Sequence, residues 1–245
     1  MIPVADDVPR RNVPLATWAL VALNAWAFLF EFRLSEPELR ELFFEYGLVP
    51  ARLTERRVTL SSITPLFTSQ FLHGGWLHLI GNMWMLWIFG DNVEDRIGSA
   101  RFVLFYVACG LLAGGLHIAT YPASEVPTIG ASGAIAGVLG AYFLLFPGAR
   151  VLTVFPILFY PVFLVLPAIV FLGLWFGLQF WSGTLALSAQ APSDGIAWWA
   201  HVGGFLAGIV LLGVFAKPKD LRRRHRDARW NKRAWNWQSR HRGRF

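Results

Sequence analysis

Apolar residues along this chain arrive in long blocks, not in the short alternating runs of a half-buried sheet. A helix that crosses a bilayer needs about 20 mostly apolar residues. Six blocks fit that length, at roughly 14–32, 74–90, 101–120, 131–146, 162–182 and 197–216. The fourth is short, and Pro156, Pro161 and Pro167 blur the approach to the fifth. The pattern predicts an all-α membrane protein, a bundle of six transmembrane helices over residues 14–216. Between the first two blocks Leu39, Leu42, Phe43 and Tyr46 recur at helical spacing, with Glu38, Arg40, Glu41 and Glu45 among them. That is an amphipathic helix, expected to lie half-sunk in the membrane interface.

Composition agrees: 55% of the 245 residues are apolar and only 15% charged, against about 25% charged in ordinary soluble domains. From Phe102 to Ala216 the formal charges are Glu125, Arg150 and Asp194 alone, too few to cover the surface of a soluble domain. A secreted protein behind a signal peptide is excluded, because apolar blocks recur to residue 216 and no small-residue cleavage site follows the first. Cys109, the single cysteine, lies in an apolar run and reads as a packing residue.

An even number of spans puts both termini on one side, and 17 of the 22 Lys and Arg residues fall on that side, most of them after Lys217. Basic residues favour the cytoplasm, so both termini are expected there, in an inner (plasma) membrane crossed several times. Residues 1–13 then form a cytoplasmic N-terminal segment and 217–245 a basic cytoplasmic tail. Arginines interleaved with Trp230, Trp235 and Trp237 suit anionic lipid next to a spanning helix better than nucleic acid, which is not expected as a partner.

Polar side chains at membrane depth are costly and point to function. His78, Asn82, Ser132 and His201 interrupt apolar runs, as does Asn24, which reads as a backbone cap or packing group. Ser132 lies 14 residues before Phe146, His201 16 before Lys217 and His78 16 before Glu94. At 1.5 Å per residue all three stand about 21–24 Å above the inner boundary, in a hydrocarbon layer about 30 Å thick. Asn82 follows His78 by one turn on the same face. His117, near the outer end of its block, is expected simply to meet water.

A serine hydroxyl becomes a nucleophile when a histidine within reach takes its proton. Two spanning helices bring such short side chains together only where small residues let the backbones approach. Gly133 and Gly137 follow Ser132, and Gly204 and Gly208 share the face of His201. Ser132 also opens its helix, where unpaired N–H groups and the dipole favour an oxyanion. Ala134, two positions after Ser132, sets this apart from the nucleophile elbow of soluble hydrolases. A small transporter, or a module that binds transmembrane segments without cutting them, remains as the alternative. A transporter would carry polar groups through both leaflets, whereas these cluster toward one.

Four runs also carry a family resemblance: 71–84 (FLHGGWLHLIGNMW), 89–95 (FGDNVED), 130–134 (GASGA) and 200–204 (AHVGG). In combination, over about residues 14–216, they resemble the bacterial rhomboid intramembrane serine proteases. The resemblance implies a six-helix rhomboid-like bundle that cleaves single-pass membrane proteins in or near their transmembrane segments, with a Ser–His dyad and no third carboxylate. It implies Ser132 as nucleophile, His201 as general base, and His78, Asn82 and the Ser132 backbone N–H as the oxyanion site. No metal or organic cofactor is implied. Substrate in this family enters beside the fifth helix, here lined by Phe171, Trp175, Phe176, Phe180 and Trp181, residues that equally suit lipid contact or packing.

Overall fold

The computed structural model describes residues 1–54, 59–158, 160–188 and 196–216. The basic tail 217–245 and the segment 189–195 lie outside the described residues, so the readings placed on them stay expectations. The longer helices are α1 (Leu15–Glu31), α2 (Glu36–Tyr46), α6 (Trp76–Ile97), α7 (Ser99–Thr120), α8 (Ser132–Leu145), α9 (Ala168–Ser188) and α10 (Trp198–Phe215). Three short turns, α3 (Ala51–Thr54), α4 (Leu60–Ile63) and α5 (Pro65–Thr68), fill the loop before α6. Among the described helices α7, α9 and α10 are long and apolar enough to cross a membrane, while α1 and α8 are apolar but shorter. The predicted amphipathic helix is α2, whose Leu39, Leu42 and Phe43 are half-buried while its acidic residues face out.

Helix α8 has 14 residues, and from Gly133 to Tyr142 every one is buried. It is the central post of the bundle, walled by α6, α7, α9 and α10. Small residues make this possible. A Cβ on Gly204 would collide with the Gly133 carbonyl oxygen, one on Gly208 with that of Gly137, and one on Gly140 with that of Phe205. The glycine faces predicted on these two helices therefore meet, backbone on backbone. Cys109 is fully buried against Gly137, as a packing residue. Asn24 bonds its own helix, Nδ2 donating to the Leu20 carbonyl at 2.7 Å.

The cytoplasmic ends expected from the topology are tied by one buried carboxylate. Glu94 accepts from the Ala16 and Thr17 amides at 2.9 and 2.8 Å, from the Thr17 hydroxyl at 2.7 Å and from the Ser99 hydroxyl at 2.6 Å. It caps the N-terminus of α1, where the helix dipole favours a negative charge, and the start of α7. Between α6 and α7 the chain turns at Gly98, whose φ of 85° only glycine adopts without strain.

The all-α expectation needs correction. Strands β1 (Ile2–Asp6), β2 (Arg150–Ile157) and β3 (Tyr160–Pro167) form an antiparallel sheet in the order β1-β2-β3. Residues 150–167 are rich in Val, Phe and Leu and broken by three prolines that a helix interior would not accept. The fifth helix consequently begins at Ala168, after the sheet, and not at 162. The segment 1–13 is also more than a tail: Ile2 pairs with Val154 and Asp6 with Val151.

Candidate active site

Helices α8 and α10 bring Ser132 and His201 together: Oγ and Nε2 are 2.8 Å apart. Behind the imidazole, Nδ1 lies 2.7 Å from Oε1 of Gln179 on α9. A carbonyl-type oxygen at that position makes Nδ1 the protonated nitrogen and leaves Nε2 as acceptor for the Ser132 hydroxyl. Gln179 is the one amide in a helix of otherwise apolar and hydroxyl side chains. That contrast was the available signal, and the sequence reading passed over it. Trp175 and Trp198 flank the His201 ring, with centroids 6.0 and 6.3 Å away.

Two cavities flank this pair. One of about 420 Å³ extends toward α7 and the loop before α6, and is lined by Ser69, Gln70, Thr128 and Gly130. The other, about 360 Å³, lies toward α6 and α9, against Gly81, Met85, Ile135 and Trp175. His78, Asn82, Ser132 and His201 line both. The four residues that sequence placed at one depth or one turn below it thus share a site.

Asn82 is buried, and its Nδ2 has no hydrogen-bond partner. A buried donor without a partner is costly, and this one borders both cavities, where an acceptor could reach it. Ser132, as first residue of α8, lacks an intrahelical acceptor for its own N–H. The His78 ring packs against Gly130, where a Cβ would lie 2.7 Å from Nε2. Gly130 also has a φ of 126°, so only glycine serves on both counts. Its N–H donates to the Ser69 carbonyl at 2.8 Å and pins the loop that starts α8.

The far side of His78 holds a second histidine that carried no assigned role. His73 is buried, its ring edge-to-face with His78 at 5.1 Å, and its N–H donates to Glu31 Oε2 at 3.0 Å. Burial, assisted by the neighbouring His78, pulls the His73 pKa down to about 4 and keeps its ring neutral. His117 does not meet water as expected. It is buried, with Nε2 2.9 Å from the Thr128 hydroxyl, because the 121–130 loop folds over the end of α7.

The five aromatics of α9 separate into two groups. Phe171 is fully buried beside Phe89, while Trp175 and Phe176 pack against Phe205. Trp181 is 64% exposed and Phe180 49%, the latter touching Trp199. Phe171 and Trp175 line the α6–α9 cavity; Phe176, Phe180 and Trp181 do not. Among the described residues no cluster of His, Cys, Asp and Glu has the arrangement of a metal site.

Residues 61–218 match the family model of the rhomboid domain. The chain belongs to the rhomboid family. It is 30% identical over 173 residues to "Rhomboid protein 1, mitochondrial" of Saccharomyces cerevisiae, covering 68% of this chain and 46% of that one. Against "Rhomboid protease GluP" of Bacillus subtilis the identity is 46% over 76 residues, 31% of this chain and 14% of the relative. The mouse "Presenilin-associated rhomboid-like protein, mitochondrial" is 30% identical over 60% of this chain and 36% of its own. The chain thus spans less than half the length of each of these relatives. As a rhomboid with apolar spanning helices it is a membrane protein.

Proposed function

We propose that this rhomboid is a serine-type endopeptidase that cleaves single-pass membrane proteins in or near their transmembrane segments. The observation that carries the reading is the 2.8 Å contact between Ser132 Oγ and His201 Nε2 beside a cavity. His201 takes the hydroxyl proton as Oγ attacks the substrate carbonyl carbon. The carbonyl oxygen becomes an oxyanion held by Asn82 Nδ2–H, the Ser132 backbone N–H and His78. As the tetrahedral intermediate collapses, the carbon–nitrogen bond breaks and His201 returns its proton to the leaving amine. Water then attacks the acyl-serine with His201 again as base, releasing the acid and restoring Ser132. Gln179 keeps the imidazole in the tautomer and orientation that both half-reactions use. No metal or organic cofactor enters the reaction.

We place α1, α6, α7, α8, α9 and α10 as six spans in the plasma membrane, with the chain entering α1 and leaving α10 on the cytoplasmic side, β1 reaching from that side up into the bundle, and the dyad opening toward the external face. The basic tail then sits on anionic lipid. The substrate chain approaches from the α9 side, past Trp175. A fluorophosphonate probe should label the purified protein, and Ser132→Ala should abolish both labelling and cleavage of a model transmembrane substrate. His201→Ala should do likewise without loss of expression. Asn82→Ala should retain labelling and slow turnover by about 10²–10³. Appreciable cleavage by well-folded Ser132→Ala would refute the protease, and a rhomboid that captures transmembrane segments without labelling would be the binding module instead.

A further inference from the structure

Strand β1 is the outer strand of a sheet set between α6 and α9, with β1 against α6 and β2 and β3 against α9. It is held along its whole length. The Pro3 carbonyl accepts from Trp84 Nε1 at 2.6 Å. Asp6 Oδ2 accepts from Asn92 Nδ2 at 2.8 Å and from the Tyr142 hydroxyl at 2.5 Å. Asp7 exchanges two bonds with Arg150, its N–H donating to the carbonyl at 3.1 Å and its Oδ1 accepting from the amide at 2.7 Å. Asp6 stands near the end of α8 and β1 runs from there toward the dyad, so that Met1 and Pro3 line the same cavity as Ser132, His201 and Gln179.

We infer, on the protease reading above, that β1 is a specificity-determining wall of the substrate cavity, and that Met1 and Pro3 limit the size of the apolar substrate side chain received between α6 and α9. The remaining walls are apolar, Met85, Ile135, Leu139, Phe171 and Trp175 among them, so an apolar side chain is what the space accepts. On the α6 side Gly81 contributes no side chain, and a Cβ there would meet nothing within 4 Å. The space left open at Gly81 is closed from below by β1. A thioether adapts to different occupants, whereas the Pro3 backbone, fixed by Trp84, does not.

The experiment compares two transmembrane substrates identical except for Ala or Phe at the residue next to the cleaved bond. Wild type should favour Ala. The triple variant Ile2→Gly, Pro3→Gly, Val4→Gly should raise the Phe-to-Ala ratio of kcat/KM at least tenfold, while fluorophosphonate labelling of Ser132 stays within about twofold of wild type. An unchanged ratio in a labelled, active variant overturns the wall; absence of any cleavage by wild type refutes the protease reading instead. Should the triple variant not fold, Trp84→Phe keeps an aromatic ring and frees the Pro3 carbonyl. It should raise the ratio about threefold, and no rise overturns the proposal. A disulfide between Ile2→Cys and Val154→Cys, paired in register and made in a Cys109→Ala background, should leave turnover and preference as they were. Turnover lost on oxidation and recovered on reduction would show that β1 moves aside during catalysis and is not a wall.

Discussion

The two sides of Ser132 are built in opposite ways. Toward α10 the backbones touch: Gly204 and Gly208 leave no room for a methyl group above the carbonyls of Gly133 and Gly137. Toward α6 and α9 the helices stand apart, bridged by Phe171 on Phe89 and by a sheet, and a cavity of about 360 Å³ remains. The tight side holds the Ser132–His201 distance, since neither helix can slide or tilt without a backbone collision. The open side leaves space beside Ser132 for another chain. Rigidity and access are thereby assigned to different helix pairs, and α9 serves both, with Gln179 against His201 and Phe171 and Trp175 along the cavity.

That division breaks most severely at the tight contact. Gly204→Val should push α8 and α10 apart, lower stability in detergent by about 3 kcal/mol and remove measurable cleavage. Thermal unfolding and a transmembrane-substrate assay check both. Cleavage near the wild-type rate would mean that the glycine contact does not set the dyad distance. A smaller effect is expected where α9 meets the dyad. Gln179→Leu deletes one neutral hydrogen bond, worth about 1 kcal/mol, so kcat should fall about five- to tenfold with KM unchanged. A change confined to KM would make Gln179 a substrate contact and not a positioning residue for His201.

The smallest expected effect concerns the base of the sheet. Burial, partly opposed by the Tyr142 hydrogen bond and assisted by Asp91, raises the Asp6 pKa from 3.8 to about 7. A carboxyl whose pKa is higher in the folded state holds its proton more tightly there. Its contribution to stability is therefore full below its ordinary pKa and is lost as pH rises to about 7. The melting temperature of wild type in mild detergent should drop between about pH 4 and 7, and Asp6→Asn should flatten that drop. Parallel profiles would show that strand docking is not linked to the Asp6 proton.

Much of the site was legible in the sequence. His78, Asn82, Ser132 and His201 stood out because a polar group inside an apolar block has few innocent explanations, and helical rise translated their spacing into a common depth. The glycines stood out for a similar reason, as a stripe on the face that carried the histidine. Gln179 was equally polar and equally isolated, but it belongs to a helix with no second polar residue at a matching depth, so spacing alone gave it no partner. His117 was misjudged because its surroundings are set by the loop that folds over it. The prolines before the fifth helix were read as punctuation, although Val, Phe and Leu between them already favoured a strand.

By itself the sequence determined that this chain lives in a membrane, which faces of its helices carry glycine, and which polar side chains lie at the level of Ser132. Those properties follow from hydrophobic blocks and from the fixed rise of a helix, both of which are local. Only the tertiary structure decided that residues 2–6 pair with β2, that Pro3 rests on Trp84, and that Gln179 faces His201. Each of these joins segments far apart in the chain through single hydrogen bonds or a few strand pairs. Such contacts have no periodicity, and they exist only once the packing of α8 against α10 has set where every other element can stand.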